Sequence, residues 1–567
     1  MKTVSQIRRE SLVFILVLIA IFVVLNILAI KVFGRWDLTE SKVHSLSSGS
    51  IHLIKGLKDR LTVKAYFTED LPPPFNAHAR YVRDILEEYQ ANAGGKMVLE
   101  FIDPTNKEDL EKEAQQFGIQ KVGHRVINKD QSEVKLGYRG IAFTYGAKTL
   151  SIPAVQDTMG LEYEITTVLK QLVGEKKTIG VLVGHGEPKI EVPPEQYQMM
   201  MQQHQEPPKG AMSILREALP QYNFKEIDLQ KGEKDLPPDI SALLVAGTLE
   251  PIPEIERFKI DQYLMKGGSV AFFVDGVHVE IKDPPMQGMP PSFEAKMNET
   301  GLRDQLLAYG VKLGSDLVLD MRANLFPTMC PPVPMPIPMR YPGWPVATDL
   351  PVSNPVTFRL PMVTLPWTSS VELTDKALLP GTGVQAEVIA RSSDHSWRLT
   401  SDFVVDPCKL GEPQMFQSGV GLAATLNGNF VSAWAGKEPP KAIDEAKAEG
   451  QPPKKIDKAE KPGRLIVVGT SWAPTDGIMS YLTRIERSDR VSNLAFMANA
   501  MDWMTQDEDL IAVRAKGIEE PPLDSVEESK RLSMKYGLIV GIPMIFILFG
   551  ILRWRFRVAR HARLKSE

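Results

Sequence analysis

A chain of 567 residues with a formal net charge of −4 and a pI near 6.2 is too long for one hydrophobic core and carries no overall basic field. It should divide into about three or four domains, and nucleic acid, which is held by clustered Lys and Arg, is excluded as a partner. Only Cys330 and Cys408 are present, which excludes a disulfide framework and a Cys-based zinc centre; they read as two buried thiols or, in an oxidising compartment, as one disulfide.

A short head, 1–11, precedes Leu12–Ile30, a charge-free run with Asn26 as its polar residue. At about 1.5 Å per residue it nearly crosses a hydrocarbon core of about 30 Å, which predicts a transmembrane helix over 12–30. Lys31, Phe33, Arg35 and Trp36 follow in place of a small-residue cleavage site, so the run reads as an anchor and not a signal peptide.

A small α/β domain is expected over 31–175. Leu61–Phe67 alternates as a strand, and Val82, Ile85, Leu86 and Tyr89 form the i, i+3, i+4, i+7 stripe of a helix. Met97–Ile102 follows as a strand, and Ile165, Val168, Leu169 and Leu172 share one face of a later helix. A parallel-sheet α/β domain is expected over 176–324. Thr178–Val183, Ala242–Val245 and Ser269–Val274 are near-continuous apolar runs, as strands buried on both faces should be, with helices between them.

Over 325–436 the chain turns rich in Pro, Met and Trp, and Leu325–Pro366 reads as a long irregular excursion followed by scattered strands. A charged, Pro-rich linker occupies 437–463. The segment 464–535 completes the α/β domain with the strand Arg464–Val468 and the helix Asn493–Met504, and Asp509–Arg514 offers a last strand. Tyr536–Leu552, with Pro543, predicts a second transmembrane helix over 536–552, before a tail, 553–567, dense in Arg. That density places both termini in the cytoplasm, in contact with anionic lipid, and the bulk of the chain outside a cytoplasmic membrane.

The candidate site combines His185 and Glu187 with Asp275, His278 and Glu280. Both groups follow apolar strands of one expected sheet, and such sheets bind ligands at the carboxyl ends of their strands. These residue types can ligate zinc or manganese. The competing reading is a pair of turns in which Gly184 and Gly186 supply unusual backbone angles and the polar groups hold their neighbours. There is no G-x-S-x-G elbow and no G-x-x-x-x-G-K-[ST] phosphate loop, so catalytic residues, metal and cofactor are all expected to be none. Met199–Met201 sits in a Gln- and Pro-rich loop that reads as a disordered insertion and not a soft-metal site. Asn26 and the Gly537-x-x-x-Gly541 spacing are the candidate contacts between membrane helices.

The order of motifs resembles the auxiliary components of ABC-type transport systems described as involved in gliding motility, the ABC-transporter auxiliary domain family. It runs through Arg35-Trp36-Asp37-Leu38-Thr39, Ser45-Leu46-Ser47, Gly184-His185-Gly186-Glu187, Asp261-Gln262-Tyr263-Leu264 with Gly267-Gly268, then Asn499, Asp502-Trp503 and Asp509–Lys516. The resemblance implies a glutamine-amidotransferase-like sheet domain without a catalytic nucleophile, similar also to intraflagellar-transport folds. It implies a non-enzymatic subunit working with a permease and a separate ATPase. The alternatives are a stand-alone extracytoplasmic glycan-binding protein or metal-dependent hydrolase using the crevice near His185 and Asp275, and an inward-signalling receptor. The short tail leaves no room for an output domain.

Overall fold

The computed structural model describes residues 45–505 except 70, 72–74, 129–130, 156–157, 159, 175, 193–197, 200–209, 283–290, 329, 331–334, 336, 359, 379–382, 412, 414, 442–454 and 486–491. It also describes 510, 513, 535–565 and isolated positions between 15 and 22. The chain forms two compact units, Met1–Gly517 and Ile518–Glu567.

The first unit opens with α1 (Ser48–Lys55), β1 (Leu61–Phe67), α2 (Phe75–Asn92), β2 (Met97–Ile102) and α3 (Glu108–Gln116). Two antiparallel hairpins follow, β3 (Val122–Asn128) with β4 (Gln131–Gly137) and β5 (Arg139–Tyr145) with β6 (Lys148–Ile152), and then α4 (Leu161–Val173). β1 and β2 run parallel with α2 as their crossover, in a four-stranded sheet ordered β2-β1-β5-β6. The stripe Val82, Ile85, Leu86 and Tyr89 is the buried face of α2, and it packs into one core with Val63, Ala65 and Phe143. Ser47 starts α1: its Oγ accepts the Ser50 N–H at 3.2 Å, and its own N–H donates to buried Glu162 at 2.7 Å.

Next come β7 (Lys177–Leu182), α5 (Ser213–Ala218), β8 (Tyr222–Ile227), β9 (Ile240–Ala246), α6 (Glu254–Met265) and β10 (Ser269–Phe273). The hairpin β11 (Val277–Lys282) and β12 (Ser292–Met297) leads to α7 (Leu302–Ala308), β13 (Val311–Leu313) and β14 (Leu317–Asp320). They are followed by β15 (Ala323–Thr328), β16 (Ile337–Ala347), β17 (Val363–Thr364), β18 (Val371–Leu373), α8 (Asp375–Leu378), β19 (Val384–Arg391) and β20 (Ser396–Leu399). β21 (Gly421–Gly428), β22 (Gly463–Val468), α9 (Asp476–Ile485) and α10 (Ser492–Met504) close the unit.

The central sheet has seven strands in the order β19-β21-β22-β10-β9-β7-β8. Strands β22, β10, β9, β7 and β8 are parallel; β21 and β19 are antiparallel additions. Because successive side chains point to opposite faces, each central strand feeds two cores. Ile179, Leu244, Phe273 and Ile466 meet Phe496, Met497 and Met501 of α10 on one face. Leu243, Val245, Phe272 and Val467 meet Ile260 and Leu264 of α6 on the other.

Two expectations are corrected. The sheet content is mixed: β11–β12, β13–β18, β14–β20, β15–β16–β17 and β3–β4 form small antiparallel sheets beside the central one, so the molecule is a mixed α/β fold and not a mostly parallel one. No helix among the described residues is long and apolar enough to cross a membrane, which overturns the expected flanking transmembrane helices and the two-pass placement in a cytoplasmic membrane built on them. Most of 12–30, Asn26 included, lies outside the described residues. In the second unit the apolar run is split between a π-helical turn, Gly537–Gly541, and α11 (Ile542–Lys565). Within α11 it stops at Leu552, and Arg553, Arg555, Arg557, Arg560, Arg563 and Lys565 interrupt the remainder.

The Pro/Met-rich segment also differs from the irregular excursion expected of it. β15 and β16 pair with Pro327 opposite Pro338 and a register shift between Ala323 and Leu325. Two prolines can face each other only where the ladder needs no N–H from either, and a bulge absorbs the rest. Cys330, beyond the end of β15, is disulfide-bonded to Cys408, with Cα atoms 5.5 Å apart.

Candidate functional site

β8 lies on one side of β7 and β9 on the other, so the chain order reverses at β7. The loops after β7 and β9 therefore flank the switch point of the sheet, where open α/β folds place ligands. These loops interlock. The His185 carbonyl accepts the N–H groups of Leu249 and Glu250, both at 2.9 Å. Gly186 (φ +86°) and Gly247 (φ +81°) permit this approach: a Cβ on either would lie 3.0 Å from the Leu249 side chain or 2.9 Å from Pro188.

The His185 imidazole sits between two carboxyl groups. Nε2 is 3.0 Å from Glu256 Oε2 and Nδ1 is 3.5 Å from Glu187 Oε1, as ion pairs off hydrogen-bond alignment. Glu187 Oε2 accepts the His185 backbone N–H at 2.6 Å, and its Oε1 accepts the Thr248 hydroxyl at 2.8 Å. All three acidic and basic side chains are buried: His185 and Glu187 are 6% exposed and Glu256 1%. Burial alone would lower the imidazole pKa, but the two close carboxylates of Glu187 and Glu256 outweigh it and push it up to about 10. Burial would raise Glu187; hydrogen bonds from His185, Thr248 and the backbone outweigh that and hold it below the usual carboxylate range. The two carboxylates thus favour the imidazolium over the neutral ring at this position.

Two strands away, Asp275 closes a second cluster after β10. Its Oδ1 accepts the Ser471 N–H at 2.6 Å, and its Oδ2 accepts the Ser471 hydroxyl at 2.6 Å and pairs with His278 Nδ1 at 2.8 Å. Asp275 is 2% exposed, and the His278 ring lies nearly parallel to Trp472, 7° between planes. Here Ser, Asp and His share one carboxylate. A nucleophile relay needs the imidazole between hydroxyl and carboxylate, so this order does not activate Ser471. Glu280 is exposed on β11, opposite Glu294.

The structure thus brings His185 to Glu187 and Asp275 to His278, and sets the pairs along one sheet edge. Asn298 links them, donating from Nδ2 to the Thr248 carbonyl at 2.9 Å and from its N–H to the Gly276 carbonyl at 3.0 Å. Each cluster otherwise closes on itself, and among the described residues no group of three or more His, Cys, Asp or Glu is arranged to hold a metal ion. Glu256, Thr248 and Ser471 were not singled out in the sequence; their separation from His185 and Asp275 leaves no local spacing to read. Gly537 and Gly541 stand at the two ends of the π-helical turn.

A cleft of about 680 Å³ was equally invisible in the sequence. It opens between β18, β19 and the segment 417–421, with Asp349, Glu372, Glu387, Arg391 and Arg398 on its walls. Arg398 pairs with Glu372 at 2.6 Å and Arg391 lies 4.0 Å from Asp349, while Glu387 accepts from Asn354 at 2.8 Å.

The family motifs also turn out to hold the fold. Asp261 accepts from Tyr309, Ser432, Gln262 and the Ala433 N–H, and Gln262 takes both the N–H and the carbonyl of Ile456, fixing the far end of the charged insertion. Asp502 accepts the Tyr222 hydroxyl at 2.7 Å, and Asn499 donates to the Val356 carbonyl at 3.1 Å.

With this buried switch point on the page, the comparisons with known proteins give the chain a class: an auxiliary protein associated with ABC transport. The family described as "ABC-type uncharacterized transport system" matches residues 176–500, and the chain belongs to that family. A domain of unknown function matches residues 40–144. An uncharacterized protein of Borreliella burgdorferi is 24% identical over 576 residues, covering 96% of this chain and 98% of that protein. Among solved structures, the mmIFT52 N-terminal domain is similar at a TM-score of 0.31 and 11% identity, over 58% of this chain and 97% of that one. The link to gliding motility that the sequence resemblance implied is not among these findings.

Proposed function

We propose that this chain is a non-catalytic component of an ABC transport system, working with an ATPase and a permease carried on other chains. The observation that supports the reading is the closing of the switch point: buried His185, where a ligand-binding or reacting group would stand, lies between Glu187 and Glu256, 3.5 and 3.0 Å away. Family membership supports the link to a transport system, and a sequence without a phosphate-binding loop supports the reading that ATP is hydrolysed by another chain. The cleft beside β19 is the surface this reading assigns to a partner or a transported substrate.

The purified chain should show no turnover on a panel of ester, phosphoester, peptide and glycoside substrates, with or without added zinc or manganese. Turnover that disappears in His185→Ala, with the variant still folded by circular dichroism, would replace this reading with that of a hydrolase.

A further inference from the structure

β19 is the last strand of the central sheet, and it lines the cleft of about 680 Å³. An isolated antiparallel bridge joins Arg391 to Asp349, and among the described residues no strand continues it along β19. Ala386, Glu387 and Val388 all line the cleft. Successive side chains of a strand point to opposite faces, so a cavity that touches all three runs past the edge of β19 and not over one face. An edge of this kind presents backbone N–H and C=O groups to whatever enters.

Two groups of opposite charge stand along that edge with bonding capacity to spare. Asn354 donates to Glu387 Oε2 at 2.8 Å, and among the described residues no Lys, Arg or His lies within ion-pair distance of this carboxylate. Arg391 Nε is 4.0 Å from Asp349 Oδ2, and its Nη1 donates to the Gly419 carbonyl at 3.4 Å. Both contacts are long, and they leave most of the five N–H donors of the guanidinium open. Glu387 and Arg391 are four residues apart on β19, and the register shifts between Val388 and Arg391, as at a bulge that bends the strand. At about 3.3 Å per residue their separation is about 10–13 Å. A free amino acid cannot reach across that distance, whereas an extended peptide of about three residues can.

We propose that this cleft binds a short extended peptide as an added strand beside β19, with the peptide's ammonium group at Glu387 and its carboxylate at Arg391. The proposal rests on the assignment of the cleft to a partner or a transported substrate, and it gives that occupant a chemical class. The test is calorimetric titration of the full chain with trialanine, and with alanine, N-acetyl-trialanine and trialanine amide beside it. Trialanine should bind with a Kd of about 1 mM or tighter. Each of the other three should bind about tenfold or more weakly, because one charged terminus is missing or out of reach. Glu387→Gln, which keeps an acceptor for Asn354, should bind trialanine and its acetylated form alike. Arg391→Gln should bind trialanine and its amide alike. If trialanine does not bind the wild-type chain, or if alanine or a capped peptide binds it as well, the proposal fails, whatever the variants do. It fails equally if either variant keeps the wild-type preference for the terminus its side chain is assigned to hold. Co-purification of an ATPase and a permease with the chain tests the transport reading separately, so a peptide that does not bind overturns this proposal alone.

Discussion

At the scale of the residue, the reading turns on His185. A His whose folded pKa is raised from 6.5 to about 10 contributes stability that is complete below 6.5 and is lost as pH rises toward 10. Glu187, held below its ordinary 4.5, contributes above that value and loses its contribution as pH falls through its folded pKa. The cluster should therefore stabilise most between pH 4.5 and 6.5. His185→Gln removes the charge that Glu187 and Glu256 surround, and breaking a buried ion pair by one partner costs about 3–5 kcal/mol. Urea denaturation across pH should show the gap between wild type and His185→Gln widest near pH 6 and closing toward pH 10. A gap independent of pH would mean that the fold leaves the imidazole pKa unshifted, and one that shrinks below pH 6.5 would mean that the ring is held neutral. For Asp275→Ala, the Ser471 N–H and hydroxyl lose their acceptor, and a loss of about 1–3 kcal/mol is expected in the same measurement.

Elements whose partners are local were legible in the sequence, and those whose partners are distant were not. The alternation over Leu61–Phe67 and the stripe from Val82 to Tyr89 needed only neighbouring residues, and both stand where the pattern put them. β8 begins at Tyr222, whose hydroxyl donates to Asp502, 280 residues away, a pairing no local pattern could show. Apolar length alone suggested the second span; a π-helical turn and a run of arginines in one helix replace it. Prolines hid the pair β15–β16, since a proline count says nothing of which strand edge each one meets. The site split the same way: the two loops could be placed at strand ends, but Glu256 and Ser471 enter through the packing of α6 and the loop after β22. The Cys330–Cys408 bond closes 78 residues around this region. Replacing both cysteines with Ser should lower stability by about 2–5 kcal/mol, read as a lower denaturation midpoint. An unchanged midpoint would mean that the antiparallel sheets hold without the bridge.

On the scale of the first unit, the central sheet is packed on both faces, and the family motifs tie distant segments to it. Asp261, Asn499 and Asp502 each bind segments far away in the chain, so these positions keep the insertions attached to the sheet. That architecture suits a component whose work is contact, with the chemistry of ATP left to another polypeptide. The most direct measurement is affinity purification of the full chain from its native cells under gentle detergent, followed by identification of what comes with it. An ABC-type ATPase and a permease should be recovered together with the chain, and should still be recovered with the His185→Gln variant wherever it folds. Recovery of the chain alone, with no transporter component crosslinked to it, would contradict the account.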